Sequence, residues 1–156
     1  MRIPVSTQEP IATYGVSKPY DERTKRLEFN GSTADWFPDE NVPIRVLSVF
    51  WTTASSAVVG ARSLCFTLVK ARLPQSPGQP IASYHGQSTQ HGASQVKYAT
   101  WLVGADAAVW YNTVNVIYET HALGAVVMLP GDHLGFVLIG GDAADVSSIN
   151  IVYEVL

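Results

Sequence analysis

At 156 residues and 16.9 kDa, the chain has room for one domain of ordinary size plus an extension, large enough to build a core without staples. A net charge of -3 argues against a nucleic-acid ligand, because phosphate binding needs clustered Lys and Arg. A single cysteine, Cys65, excludes an internal disulfide, and no run approaches the roughly 20 apolar residues of a membrane helix.

Charge divides the chain. Of its 23 charged residues, 12 fall in the first 40 positions, so residues 1–40 read as an extended N-terminal arm and residues 41–156 as the folded domain. The arm carries Pro4, Pro10, Pro19 and Pro38 and lacks the apolar content to fold alone. Its spaced apolar residues, Ile3, Val5, Ile11, Tyr14, Tyr20 and Phe29, are expected to dock on a partner, with Trp36 and Phe37 at the junction plugging the arm onto the domain or onto a neighbour. The basic group Arg23-Thr24-Lys25-Arg26 is flanked by Asp21, Glu22 and Glu28 and reads as a solvated segment. Asn30-Gly31-Ser32 reads as a turn. The first 30 residues lack the apolar stretch of a signal peptide, so the expectation is a chain made in a cytoplasm.

From Pro43 onward, short apolar runs alternate with turn residues, the pattern of a sandwich or barrel. Residues 44–51 open the domain. Leu64, Phe66 and Leu68 alternate, but Lys70 and Arg72 then take the apolar parity, which predicts a bulge or bend near Leu68-Val69. Residues 74–93, rich in Pro, Gly, Ser and Gln, predict a long connection with brief pairing around residues 81–84. Two strands follow at residues 96–103 and 109–118, joined as a hairpin through Gly104-Ala105-Asp106-Ala107. Residues 125–129 run into the turn Pro130-Gly131-Asp132, then Leu134, Phe136 and Leu138 alternate. In the last strand Ile149, Ile151, Tyr153 and Val155 share the core face. The total is about eight strands.

Candidate chemistry is sparse. His85 and His91 are six residues apart, which matches no regular metal-ligand spacing, and there is no His-x-His pair. There is no Gly-x-Ser-x-Gly elbow, and Cys65 reads as a small buried hydrophobe. Asp106, Glu119 and Asp132 are the acids from which a hydrolytic pair would have to be drawn, and the aspartates after Gly131 and Gly141 read as turn formers. No catalytic residue, metal or cofactor is expected. Trp110 and Tyr111 are adjacent on a strand, so one of them faces outward; with Tyr84, His85 and His91 of the long connection, Trp110 is a candidate contact residue.

The short strands, the bent strand and the sequence Leu129-Pro130-Gly131-Asp132 before Leu134-Gly135-Phe136-Val137-Leu138 look like a jelly-roll antiparallel sandwich. With the arm, the polar-surfaced β domain and one cysteine, the chain resembles tailed-bacteriophage virion structural proteins, closest to capsid decoration (cement) proteins or jelly-roll fibre modules. The resemblance implies a non-enzymatic role binding and stabilising the major capsid protein or other virion subunits, as a homo-oligomer with a trimer favoured, located in the virion. The alternative is a carbohydrate-binding module of a tail or neck fibre.

Overall fold

A computed structural model describes residues 22–71, 78–86 and 92–156, with the backbone alone at residues 79 and 109–112. The described residues form eleven strands: β1 (Glu22–Asn30), β2 (Thr33–Trp36), β3 (Ile44–Ala54), β4 (Ser63–Lys70), β5 (Gln79–His85), β6 (Val96–Val103), β7 (Ala108–Asn112), β8 (Val116–Leu123), β9 (Val126–Met128), β10 (His133–Ile139) and β11 (Val146–Val155). They build an all-β sandwich. One sheet runs β1-β11-β3-β6-β8-β7, with β9 also paired to β3, and the other runs β2-β10-β4-β5.

Four antiparallel pairs are nested in sequence: β1 with β11, β2 with β10, β3 with β9, and β4 with β5. The chain is a long hairpin, rolled so that the first and third pairs share one sheet and the second and fourth share the other. Strands β6, β7 and β8 are an insertion between β5 and β9 that widens the larger sheet.

Period-2 alternation fills the space between the sheets. Trp51 of β3 meets Phe136 of β10 edge-on at 5.6 Å, and Phe66 of β4 meets Trp101 of β6 edge-on at 5.1 Å. Such pairs add about 0.5–1.5 kcal/mol each beyond the area they bury. Ile149, Ile151 and Tyr153 are buried as alternation predicted, Val155 is half-buried against the core, and β11 lies between β1 and β3. In β3, Leu47 is an extra residue in the ladder with β11, which is why Val46 and Val49 both face inward.

Several sequence expectations change. The domain boundary moves upstream of residue 40, because β1 pairs with β11 over its whole length and β2 pairs with β10. Phe29 meets the Trp51 ring at 6.0 Å, Trp36 meets Tyr153 at 5.2 Å, and Glu40 accepts hydrogen bonds from the Tyr153 hydroxyl (2.7 Å) and Arg23 (3.0 Å). Phe29 and Trp36 therefore serve the chain's own core. An edge strand needs few core residues, and β1 supplies only Leu27 and Phe29 against a charged outer face, so its composition hid it. Ile3, Val5, Ile11, Tyr14 and Tyr20 lie outside the described residues.

A bulge does occur at the expected place, Leu68-Val69, but β4 itself does not swap faces. β4 keeps one parity throughout its ladder with β10, and the irregularity at Leu68/Val69 is an extra residue, Ile81, in β5. Lys70 stays on the inward parity at the rim, where its ammonium reaches Asp132 at 2.6 Å and the Val127 carbonyl at 2.8 Å.

The expected β6–β7 hairpin is not formed. β8 inserts between them, parallel to β6 and antiparallel to β7. Lys97 points inward from β6 and is fully buried, so it needs a carboxylate beside it; β7 contains none, whereas β8 brings Glu119.

Candidate functional site

Two features stand out against this frame, one inside the sandwich and one on its surface. Inside, Lys97 follows the same parity as Ala99 and Trp101 on β6, while Glu119 and His121 follow the parity of Ile117 and Leu123 on β8. The Lys97 ammonium lies 3.0 Å from Glu119 Oε2, and His121 Nε2 lies 3.0 Å from Oε1. All three side chains are buried, and the His121 ring stacks on Trp101 at 5.1 Å. Gly86 packs directly over the acid: a Cβ at that position would sit 2.6 Å from Oε1. Neither carboxylate oxygen takes part in a well-formed hydrogen bond among the described residues, so the charge is held by proximity alone.

On the outer face of the larger sheet, the register sets two rows of side chains across four strands. One row reads Ser148, Thr52, Tyr98, Tyr118, and the next reads Asn150, Phe50, Thr100, Thr120. Phe50, Tyr98 and Tyr118 are 40%, 37% and 42% exposed, so this part of the sheet offers aromatic surface with no charge in it. The two tyrosine rings stack on each other at 4.6 Å and 8°, each giving one face to its neighbour. Beyond β11 the rows continue onto Glu28 and Arg26 of β1, an ion pair at the rim.

The sequence-derived candidates scatter. Tyr84 stacks on Phe66 at 4.7 Å and belongs to the core edge, where burial pushes its hydroxyl up from the ordinary tyrosine range. His85 lies opposite Cys65 on the outer face of the smaller sheet, Nε2 to Sγ 3.8 Å. Burial pushes the Cys65 thiol up against a smaller lowering from Thr67, the wrong direction for a nucleophile. Cys65 is buried, but on the parity opposite Leu64 and Phe66 rather than in the central cluster. Phe37 is exposed and stacks on His133 at 4.5 Å. Trp110 lies on β7, but its side chain, like His91, is outside the described residues.

The candidate acids are not gathered. Asp106 is exposed, Glu119 is enclosed with Lys97 and His121, and Asp132 is held by Lys70 and by the amides of Leu129 and Ala71. Among the described residues no group of three or more His, Cys, Asp or Glu could hold a metal ion. Among them, too, no helix is long and apolar enough to cross a membrane.

Sequence reasoning missed the interior cluster and the tyrosine pair. Parity carried a signal for the first, since a lysine and a glutamate each sit at inward positions of alternating strands. The second needed the parallel β6–β8 register, which only the fold supplies.

The class is a two-sheet β-sandwich. No family model matches this chain, and no curated protein or solved structure matches it.

Proposed function

We propose that this chain is a non-enzymatic virion structural protein, a jelly-roll module that binds and stabilises neighbouring capsid subunits. The observation that carries the reading is the uncharged patch on the outer face of the larger sheet, with Phe50, Tyr98 and Tyr118 among threonines and the Arg26–Glu28 and Arg45–Glu154 ion pairs elsewhere on that face. An aromatic centre with a charged rim is the anatomy of a protein–protein interface. The nested pairing supports it as well, because two Greek keys rolled in this order are the layout of jelly rolls, which include viral capsid, lectin and cupin domains. Of those three, a cupin uses the space between its sheets as a cup. Here Trp51, Trp101, Phe66 and Phe136 fill that space.

A second reading, a carbohydrate-binding fibre module, draws on the same exposed tyrosines. Sugar stacking uses ring faces, and Tyr98 and Tyr118 already give one face each to the other, so the protein-binding reading fits the geometry better. The two are separated by co-sedimentation with particles stripped of this chain, comparing the wild type with the double variant Tyr98→Asp, Tyr118→Asp. Attachment weakened at least tenfold, about 1.4 kcal/mol, supports the proposal. Unchanged attachment overturns it, and glycan binding lost in the same variant establishes the second reading instead.

A further inference from the structure

We propose that Lys97 and Glu119 are the two halves of an internal isopeptide bond, formed by condensation of the lysine amine with the glutamate carboxyl and assisted by His121. The proposal rests on the interior cluster alone and is independent of the virion reading.

Three observations point to it. Lys97 Nζ is 3.0 Å from Glu119 Oε2, with the carboxyl carbon one bond beyond, and both side chains are completely buried. Fixed geometry of this kind replaces the entropy cost of bringing two reactants together, one of the obstacles to forming an amide from an amine and an acid. Next, the ion pair itself is unfavourable where it stands. Two charges removed from water need well-formed hydrogen bonds to compensate, and neither Glu119 oxygen takes part in one. A neutral amide removes both charges from the interior. Finally, His121 Nε2 lies 3.0 Å from Glu119 Oε1, the oxygen turned away from the lysine, where a proton carrier is needed.

The step balances without any co-reactant. A proton passes from the Lys97 ammonium to the carboxylate, leaving a free amine and a carboxylic acid. The amine lone pair attacks Glu119 Cδ, and the Nζ–Cδ bond forms. His121 accepts a proton from the nitrogen and delivers one to Oε1. The Cδ–Oε1 bond then breaks, and Oε1 leaves as water with one proton from the acid and one from the amine. Oε2 remains as the amide oxygen, and His121 ends as it began. Nothing is oxidised or reduced. The product ties β6 to β8 through side chains, clamping the parallel pair at the heart of the insertion.

Intact-mass spectrometry of the folded full-length chain tests this. The expected mass is that of the sequence less one water, with a branched proteolytic peptide joining Lys97 to Glu119. Lys97→Met, which keeps the apolar stem and removes the amine, should show the full mass. Glu119→Gln keeps the shape of the side chain and should lose ammonia in place of water. His121→Ala should slow completion at least tenfold, leaving a full-mass fraction that declines with time. A wild-type chain at its full sequence mass overturns the proposal, as does a water loss that maps to any other pair of residues.

Discussion

At the scale of single residues, a second buried ion pair lies away from the proposed site. Arg62 Nε donates to Asp145 Oδ2 at 2.6 Å, and its other nitrogens donate to the carbonyls of Gly60 and Val58. Asp145 also accepts from the backbone amides of Ser56 and Asp142, both at 2.7 Å. The pair pins the β3–β4 loop to the β10–β11 turn and is fully buried. Burial opposes ionisation of Asp145, but Arg62 and the two amides outweigh it and hold the carboxyl at about 2, below the ordinary 3.8. A depressed carboxyl contributes stability that is present above its unfolded value and lost as pH falls through its folded value. Acid denaturation should therefore steepen between pH 3.8 and about 2, and Asp145→Asn should flatten that interval. Arg62→Ala leaves the buried carboxylate without its cation and should cost about 3–5 kcal/mol in a denaturant titration. In the core, Ile151→Asp buries a charge with no partner and should cost well over about 3 kcal/mol, whereas Asn150→Asp on the outer face should cost under about 1. The reverse order would mean that the faces of β11 are misassigned.

At the scale of elements, the lesson lies in what alternation can and cannot carry. β10 and β11 were legible because alternation runs along most of each with one buried face, β3 because alternation resumes on either side of its extra residue, and the Pro130-Gly131-Asp132 turn has its glycine at φ +91 as its chemistry predicts. β1 was not, since an edge strand with two core residues looks like charged coil. The β6–β8 pairing was not either, because hairpin chemistry at Gly104 gives a turn but not the strand that the chain lies beside afterwards. Deleting residues 1–21 leaves both β1 and β2 and should leave a cooperatively melting protein. Deleting residues 1–40 strips the β11 and β10 edges, exposes Trp51 and Tyr153, and removes the buried Trp36, so it should lower the melting temperature sharply or prevent folding. Circular dichroism melts of the two truncations check this; a 41–156 fragment as stable as the full chain would show that β1 and β2 are dispensable to the core.

At the scale of the molecule, the two sheets divide the work. The smaller sheet and the inner aromatics hold the sandwich together, and the larger sheet, widened by β6–β8, presents the uncharged aromatic patch proposed to bind a partner. Little of that face was legible in the sequence. Tyr98 and Tyr118 are 20 positions apart, and Phe50 comes from a third strand, so it takes the parallel β6–β8 register to put the tyrosines in one row and the antiparallel β3–β6 register to put Phe50 in the next. The charge asymmetry that suggested a partner-binding arm also placed Phe29 among the partner contacts, whereas it packs against the core, and Trp36 plugs onto the chain's own domain, one of the two places expected for it. Electron cryomicroscopy of the native particle tests the central claim most directly. The expected result is density for this sandwich at repeated positions of the shell, with Phe50, Tyr98 and Tyr118 buried against a neighbouring subunit. Purified particles that lack the chain, or that carry it with this face turned to solvent, would contradict it.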